Sequence, residues 1–203
     1  MPETTTINSS MSDEELIMMF QNGDPEAFEK LFLRYKQAIF HFIFRFCKNS
    51  ETAQELTQDV FSKIITKSDT FRHDSRFSTW IYTIARNITI DHNRKMVHRR
   101  EPSLDEKKQN GLSLLDTVES KTHQADRTAI SNNLKSRILE AIDNLPEEQK
   151  EVFILREHNG LSFEEISEIT NSKTGTVKSR MRYALESLRT ALNEYKQYAK
   201  ELS

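Results

Sequence analysis

"NGLSFEEISEITNSKTGTVKSRMRYALESLR", from Asn159 to Arg189, is the stretch on which the architecture of this chain turns. Ser162 stands three residues before Glu165, the spacing of a capping box in which hydroxyl and carboxylate satisfy each other's backbone N–H groups. A short helix is therefore expected to about Ile169, and Asn171 and Ser172 suit a tight turn after it. Beyond the turn Val177, Met181, Ala184 and Leu188 recur at helical spacing as one apolar stripe. Thr176, Ser179 and Tyr183 lie opposite, flanked by Lys178, Arg180 and Arg182. Short helix, tight turn and a second helix with hydroxyl and basic residues near its start is the layout of a helix-turn-helix, whose second helix enters the major groove N-terminal end first. Lys173, Thr174, Thr176 and Lys178 would then meet base edges or phosphates. A helical hairpin with a solvated basic face shares this periodicity, but such a face usually mixes in acids, which favours the nucleic-acid reading.

Composition sets the frame around that motif. The 203 residues are 36% hydrophobic and 30% charged, with four glycines and four prolines, so long helices with few turns are expected rather than sheets. A net charge of -2 excludes binding of a polyanion by bulk charge and leaves only local basic patches for that task. Cys47 is the only cysteine and no charged-then-apolar leader opens the chain, so a reducing cytoplasmic setting is expected. The most apolar stretch, "AIFHFIFRFC" from Ala38 to Cys47, is interrupted by His41 and Arg45 and falls short of the roughly 20 residues that span a bilayer. It reads as a buried helix, and no membrane insertion is expected.

Helical patterning fills the N-terminal half. Ser12 in "MSDEEL" offers an N-cap, "NGD" at Asn22 to Asp24 marks a turn before a helix beginning near Pro25, and Ser50 in "CKNSE" can cap the next helix. On that third helix Leu56, Val60 and Ile64 form the inward stripe, while Gln54, Gln58, Phe61 and Ile65 share a second face. Glutamines mixed with Phe61 suggest a partner surface; from spacing alone, a neighbouring helix covering Phe61 is slightly favoured. "RFSTWIYTIARNITIDHNRK", Arg76 to Lys95, places Phe77, Trp80, Ile81, Ile84 and Ile88 on one face and Thr79, Tyr82, Arg86 and Asn93 across from it, and it finishes in Asn93, Arg94 and Lys95. Just upstream, "TFRHDSRF" sets Phe71 beside Arg72, Asp74 and Ser75. That chemistry can stack a splayed base and hydrogen-bond its edges, though such a loop is more often a plain helix connection.

From about Val97 to Thr128 the sequence is polar, mixed in charge and without sustained apolar period, as expected of a linker. Helical spacing resumes with Ile130, Leu134, Ile138 and Ile142, Pro146 suits a first helical position before Glu147 and Glu148, and Gly160 ends that helix. The expected fold is all-α: two small helical domains, 12–96 and 129–192, joined by a flexible linker, 97–128.

Four segments in this order, "ELTQDVF" at Glu55 to Phe61, "FSTWIYTIARNITIDHNRK" at Phe77 to Lys95, "LPEEQKEVFILREHNGLSFEEI" at Leu145 to Ile166 and "GTVKSR" at Gly175 to Arg180, resemble the extracytoplasmic-function (ECF) group of bacterial RNA polymerase sigma factors. The resemblance implies a sigma region-two domain whose Glu55, Gln58, Asp59 and Phe61 face the clamp helices of the polymerase largest subunit. It implies that the loop from Phe71 to Arg76 and the helix bearing Tyr82, Arg86 and Asn87 open and read the minus-ten element, with the basic end at Asn93, Arg94 and Lys95 holding DNA. The second domain would be sigma region four, set against the polymerase flap and reading the minus-thirty-five element through Lys173, Thr174, Thr176, Lys178, Ser179, Arg180 and Arg182. An anti-sigma factor is a further partner that the resemblance makes plausible. Many members carry a serine or similar cap where Lys173 stands, which makes Thr174 the substitute cap, and Tyr183 and Leu185 stand where many have arginines.

The chain has no H-E-x-x-H, paired C-x-x-C, Gly-rich phosphate loop or G-x-S-x-G, so no enzyme, metal or cofactor is expected. Two rivals remain from the residues alone. One is a stand-alone helix-turn-helix regulator that binds palindromic duplex DNA as a dimer; the other is a helical adaptor that touches no DNA, which "TVKSRMR" disfavours.

Overall fold

The computed structural model describes residues 11–72, 74–99 and 136–201. All regular structure among them is helical, and the chain divides into two compact units, one centred on the helices before position 100 and the other on those from position 136 onward. The expected linker lies outside the described residues from position 100 onward, as do Ile130 and Leu134.

Helix α1 (Asp13–Gln21) starts at a complete capping box: Ser12 Oγ accepts from the Glu15 N–H, and the Glu15 carboxylate accepts from the Ser12 N–H at 2.8 Å. Its Leu16 and Ile17 are wholly buried, each contributing roughly 1.5–3 kcal/mol by removal from water. Helix α2 (Pro25–Cys47) has Asp24 as N-cap and Pro25 in its first turn, where the missing N–H is harmless. It buries Ala27, Leu31, Ile39, Phe42 and Ile43 within the first unit. Helix α3 (Ser50–Lys67) begins one residue earlier than expected: Asn49 is the cap, its side chain accepting from the Thr52 N–H at 2.8 Å, and Ser50 is the first helical residue. Amide and hydroxyl caps are nearly equivalent, so "NS" could not be resolved by type alone.

A 3-10 turn at Ser68–Thr70 leads through the 71–76 loop into helix α4 (Phe77–Arg99), which runs past the expected boundary at 96. Helix α4 is packed on more than one side. Phe77, Ile81 and Ile88 are buried as expected, but so are Thr79, Tyr82, Ala85 and Thr89. Tyr82 thus lies inside rather than on an open opposite face, with its ring edge-on to Phe42 at 5.6 Å. α4 touches α1, α2 and α3 together, so a helix with one obvious apolar stripe is covered over a wider arc.

In the second unit, helical residues 136–143 (α5) precede helix α6 (Glu147–Phe153), which continues as a π-helical turn over Ile154–His158. Pro146 is the N-cap of α6 rather than its first residue. The turn closes at Gly160, whose φ of +68° suits glycine, and the Leu161 N–H reaches back to the Leu155 carbonyl at 3.1 Å. Helices α7 (Phe163–Ile169) and α8 (Thr174–Glu201) follow. Ile142, Leu145, Ala184 and Leu188 form one buried cluster, packed by Ile138, Ala141 and Phe153.

Candidate nucleic-acid and polymerase interfaces

In the second unit the capping box of α7 is formed as expected: the Glu165 carboxylate accepts from the Ser162 N–H at 2.8 Å, and Ser162 Oγ accepts from the Glu165 N–H at 3.1 Å. Asn171 holds the turn with φ +49°, a left-handed conformation that asparagine tolerates better than most side chains. Thr174 is the first residue of α8 and not its cap. Lys173 takes the cap position, its carbonyl accepting from the Thr176 and Val177 N–H groups, while the Thr174 hydroxyl donates to Ser167 Oγ at 3.4 Å. The stripe Val177, Met181, Ala184 and Leu188 is buried, and Lys173, Thr176, Lys178, Ser179 and Arg182 are exposed.

Arg180 differs from its neighbours. Its guanidinium donates to Ser172 Oγ at 3.0 Å and pairs with the Glu148 carboxylate at 2.5 Å, tying the turn and the start of α6 to α8. Its side chain is only 20% exposed. Lys178 and Arg156 both sit over the Phe163 ring, 5.8 and 4.8 Å from its centre, so α7 supplies the aromatic floor for two cations.

In the first unit Gln54, Glu55, Gln58, Asp59 and Ile65 are exposed along α3, whereas Phe61 is only 4% exposed. Its ring stands edge-on to Phe28 and Phe32, with centres 6.3 and 4.8 Å away. Phe32 is the partly exposed aromatic at that edge, beside the exposed Leu33.

The 71–76 loop is anchored by Phe71, buried against Phe77 and Trp80 with ring centres 6.0 and 5.3 Å away. Burial removes Phe71 from the role of an open stacking platform. Arg72 and Asp74 form a two-pronged pair at 2.8 and 3.2 Å in full view of solvent, and Ser75 Oγ donates to the Arg72 carbonyl at 2.8 Å. Arg72, Asp74 and Arg76 are exposed, as are Asn87, Arg94 and Lys95 on α4, while Ser75, Arg86 and Asn93 are half-buried. Arg94 pairs with Asp91 one turn back at 3.1 Å.

Family comparison places both halves. Residues 31–100 match the model of sigma-70 region 2, and residues 135–188 match that of sigma-70 region 4. The RNA polymerase sigma-H factor of Pseudomonas aeruginosa is 33% identical over 187 residues, covering 89% of this chain and 93% of that protein. The ECF RNA polymerase sigma factor SigW of Bacillus subtilis is 30% identical over 184 residues, covering 91% and 98%. The ECF sigma-E factor of Escherichia coli is 30% identical over 192 residues, covering 90% and 95%. The chain is an ECF RNA polymerase sigma factor.

The fold of this sigma factor matches CnrH, solved with the cytosolic domain of CnrY, at a TM-score of 0.64 with 20% identity over 90% of this chain and 97% of that one. It also matches the sigma factor RpoE of Bartonella quintana, solved with the anti-sigma factor NepR, at 0.61 with 23% identity over 82% and 96%. As a sigma factor it binds core RNA polymerase and promoter DNA and directs promoter-specific initiation; its family is one of non-catalytic initiation factors. No helix among the described residues is long and apolar enough to cross a membrane.

Proposed function

We propose that the sigma factor divides its work between domains at 12–96 and 129–192, with 97–128 as the tether. The observation that carries the assignment is the separation of faces on α8. Val177, Met181 and Ala184 are consumed by the core while Thr176, Lys178, Ser179 and Arg182 stand exposed on the first turns, where a major groove receives a recognition helix. These residues, with Lys173, are the minus-thirty-five contacts, and Arg180 and Thr174 hold the helix in place from its inner edge.

On the first domain, Gln54, Glu55, Gln58, Asp59 and Ile65 form the surface for the polymerase clamp helices, and Phe61 supports them from beneath by propping Phe32. Arg72, Asp74, Ser75 and Arg76, with Arg86, Asn87, Asn93, Arg94 and Lys95 of α4, receive the opened minus-ten element. Phe71 and Tyr82 act from inside, as supports for the loop and the helix. Each unstacked base held in such a site contributes about 1–3 kcal/mol. The second domain docks on the flap region, the protein acts in the cytoplasm and carries no catalytic step, and an anti-sigma factor regulates it, as the solved complex of RpoE with NepR suggests.

The test is transcription by core RNA polymerase on a pool of genomic fragments, with and without the protein, beside a gel shift of the protein alone. Transcripts that require both components are expected. A tight polymerase-independent shift without transcripts would count against two weak DNA readers held together on one polymerase.

A further inference from the structure

Helix α1 is bound to the rest of its unit by a set of polar contacts that the functions above leave unused. Asp13 anchors it to α2, accepting from Arg34 at 2.6 Å and from the Tyr35 hydroxyl at 2.5 Å. Two further contacts reach the ends of the 71–76 loop. At the entry, Gln21 Nε2 donates to the Ser68 carbonyl at 2.7 Å, across 47 residues of sequence. At the exit, Glu14 Oε1 accepts from the Phe77 N–H at 3.0 Å, across 63 residues.

The second contact is a helix cap supplied from a distance. The first N–H groups of α4 have no partner inside the helix, and its first turn carries no acid of its own. A carboxylate from α1 fills that need, favoured further by the positive end of the helix dipole. Phe71 plugs the space between, against Phe77 and Trp80. The loop is thus pinned at both ends by one short helix.

We infer that Glu14 and Gln21 are positioning residues for promoter opening: α1 holds the 71–76 loop in the shape that accepts unpaired DNA, though neither residue touches it. The inference rests on the reading of that loop as the minus-ten site. Holding the loop ready removes an ordering cost that would otherwise fall at the opening step. Losing the clasp therefore slows opening of duplex DNA and spares a template that is already open.

Full-length Glu14→Ala/Gln21→Ala, assembled with core RNA polymerase, would be assayed on a duplex promoter and on the same promoter with a mismatched, pre-opened minus-ten segment. With two modest hydrogen bonds removed, initiation on the duplex is expected to fall about tenfold. The pre-opened template should recover most of it, and affinity for core polymerase should stay within about twofold. Two near-isosteric changes separate clasp from bulk: Glu14→Gln keeps an acceptor for the Phe77 N–H and should retain activity, whereas Gln21→Glu loses the donor to Ser68 and should not. Equal loss on both templates, or Glu14→Gln as damaging as Glu14→Ala, would overturn the inference in favour of general destabilisation. Arg72→Ala/Asp74→Ala in the loop serves as reference. If it impairs opening and the α1 double variant does not, the clasp is wrong; if neither impairs it, the minus-ten reading of the loop has failed and the inference goes with it.

Discussion

Phe61 and Asp59 are two residues apart on α3, and their surroundings assign them different work. Phe61 is buried among Phe28 and Phe32, so Phe61→Ala opens a cavity and should lower stability by about 3–5 kcal/mol, with any loss of polymerase binding a consequence. Asp59 is exposed, so Asp59→Arg should leave stability within about 0.5 kcal/mol and weaken polymerase binding directly. Trp80, the only tryptophan, lies in the same unit against Phe71 and Phe77, and its fluorescence during denaturant unfolding separates the two cases. The same division holds between Lys178 and Arg180. Removing the exposed Lys178 should reduce the salt dependence of promoter binding by about one unit of slope, as for one lost phosphate contact. Removing Arg180, held by Ser172 and Glu148, should lower the stability of the second unit and change that slope less. Titrating holoenzyme binding across a salt series, beside melting curves, would distinguish them; equal slope changes would place Arg180 on the DNA.

At the scale of the element, α4 shows how a helix can be covered on more sides than its pattern declares. Burial pushes the Tyr82 phenol well above its ordinary value of 10.0, and burial with the bond to Asp13 does the same for Tyr35. A phenol whose folded pKa is raised stabilises the fold fully below the unfolded value; that contribution is lost as pH rises above it through the folded value. The first unit should thus hold its stability to about pH 10 and lose it above, with tyrosinate absorbance rising together with the Trp80 change. In Tyr82→Phe the alkaline loss should be smaller; an unchanged alkaline profile would show that Tyr82 ionises without unfolding. Local signals were legible in the sequence: the capping boxes at Ser12/Glu15 and Ser162/Glu165, Asp24 before Pro25, and the stripes Leu56, Val60, Ile64 and Val177, Met181, Ala184, Leu188. Helical spacing tells which residues share a face but not how many faces meet a neighbour, so the burial of Tyr82 is not legible from the pattern, and neither is that of Phe71, which lies in a loop outside any helical period. Nor could spacing reveal Glu14 on Phe77 or Gln21 on Ser68, since those contacts exist only after four helices have packed.

For the whole molecule, the question is how a chain of net charge -2 selects promoters at all. Its exposed cations are few at each site, and several are already paired, Arg72 with Asp74 and Arg94 with Asp91. Affinity of each DNA reader alone must therefore be low, because sequence-independent hold scales with the phosphates neutralised. Two weak readers become selective when both are bound to one polymerase and to each other, since the second contact is then made at an effective concentration near millimolar. The chain connection should accordingly matter even though neither reader lies in it. A protease site introduced between positions 100 and 128, cleaved after assembly with core polymerase, should reduce initiation at promoters needing both elements by about tenfold or more. Promoters that rely on the minus-ten element alone should change little. Millimolar addition of the released second unit should restore much of the loss, as effective concentration requires. If cleavage changes neither promoter class, the polymerase itself holds the second unit in place, and the tether contributes only to assembly.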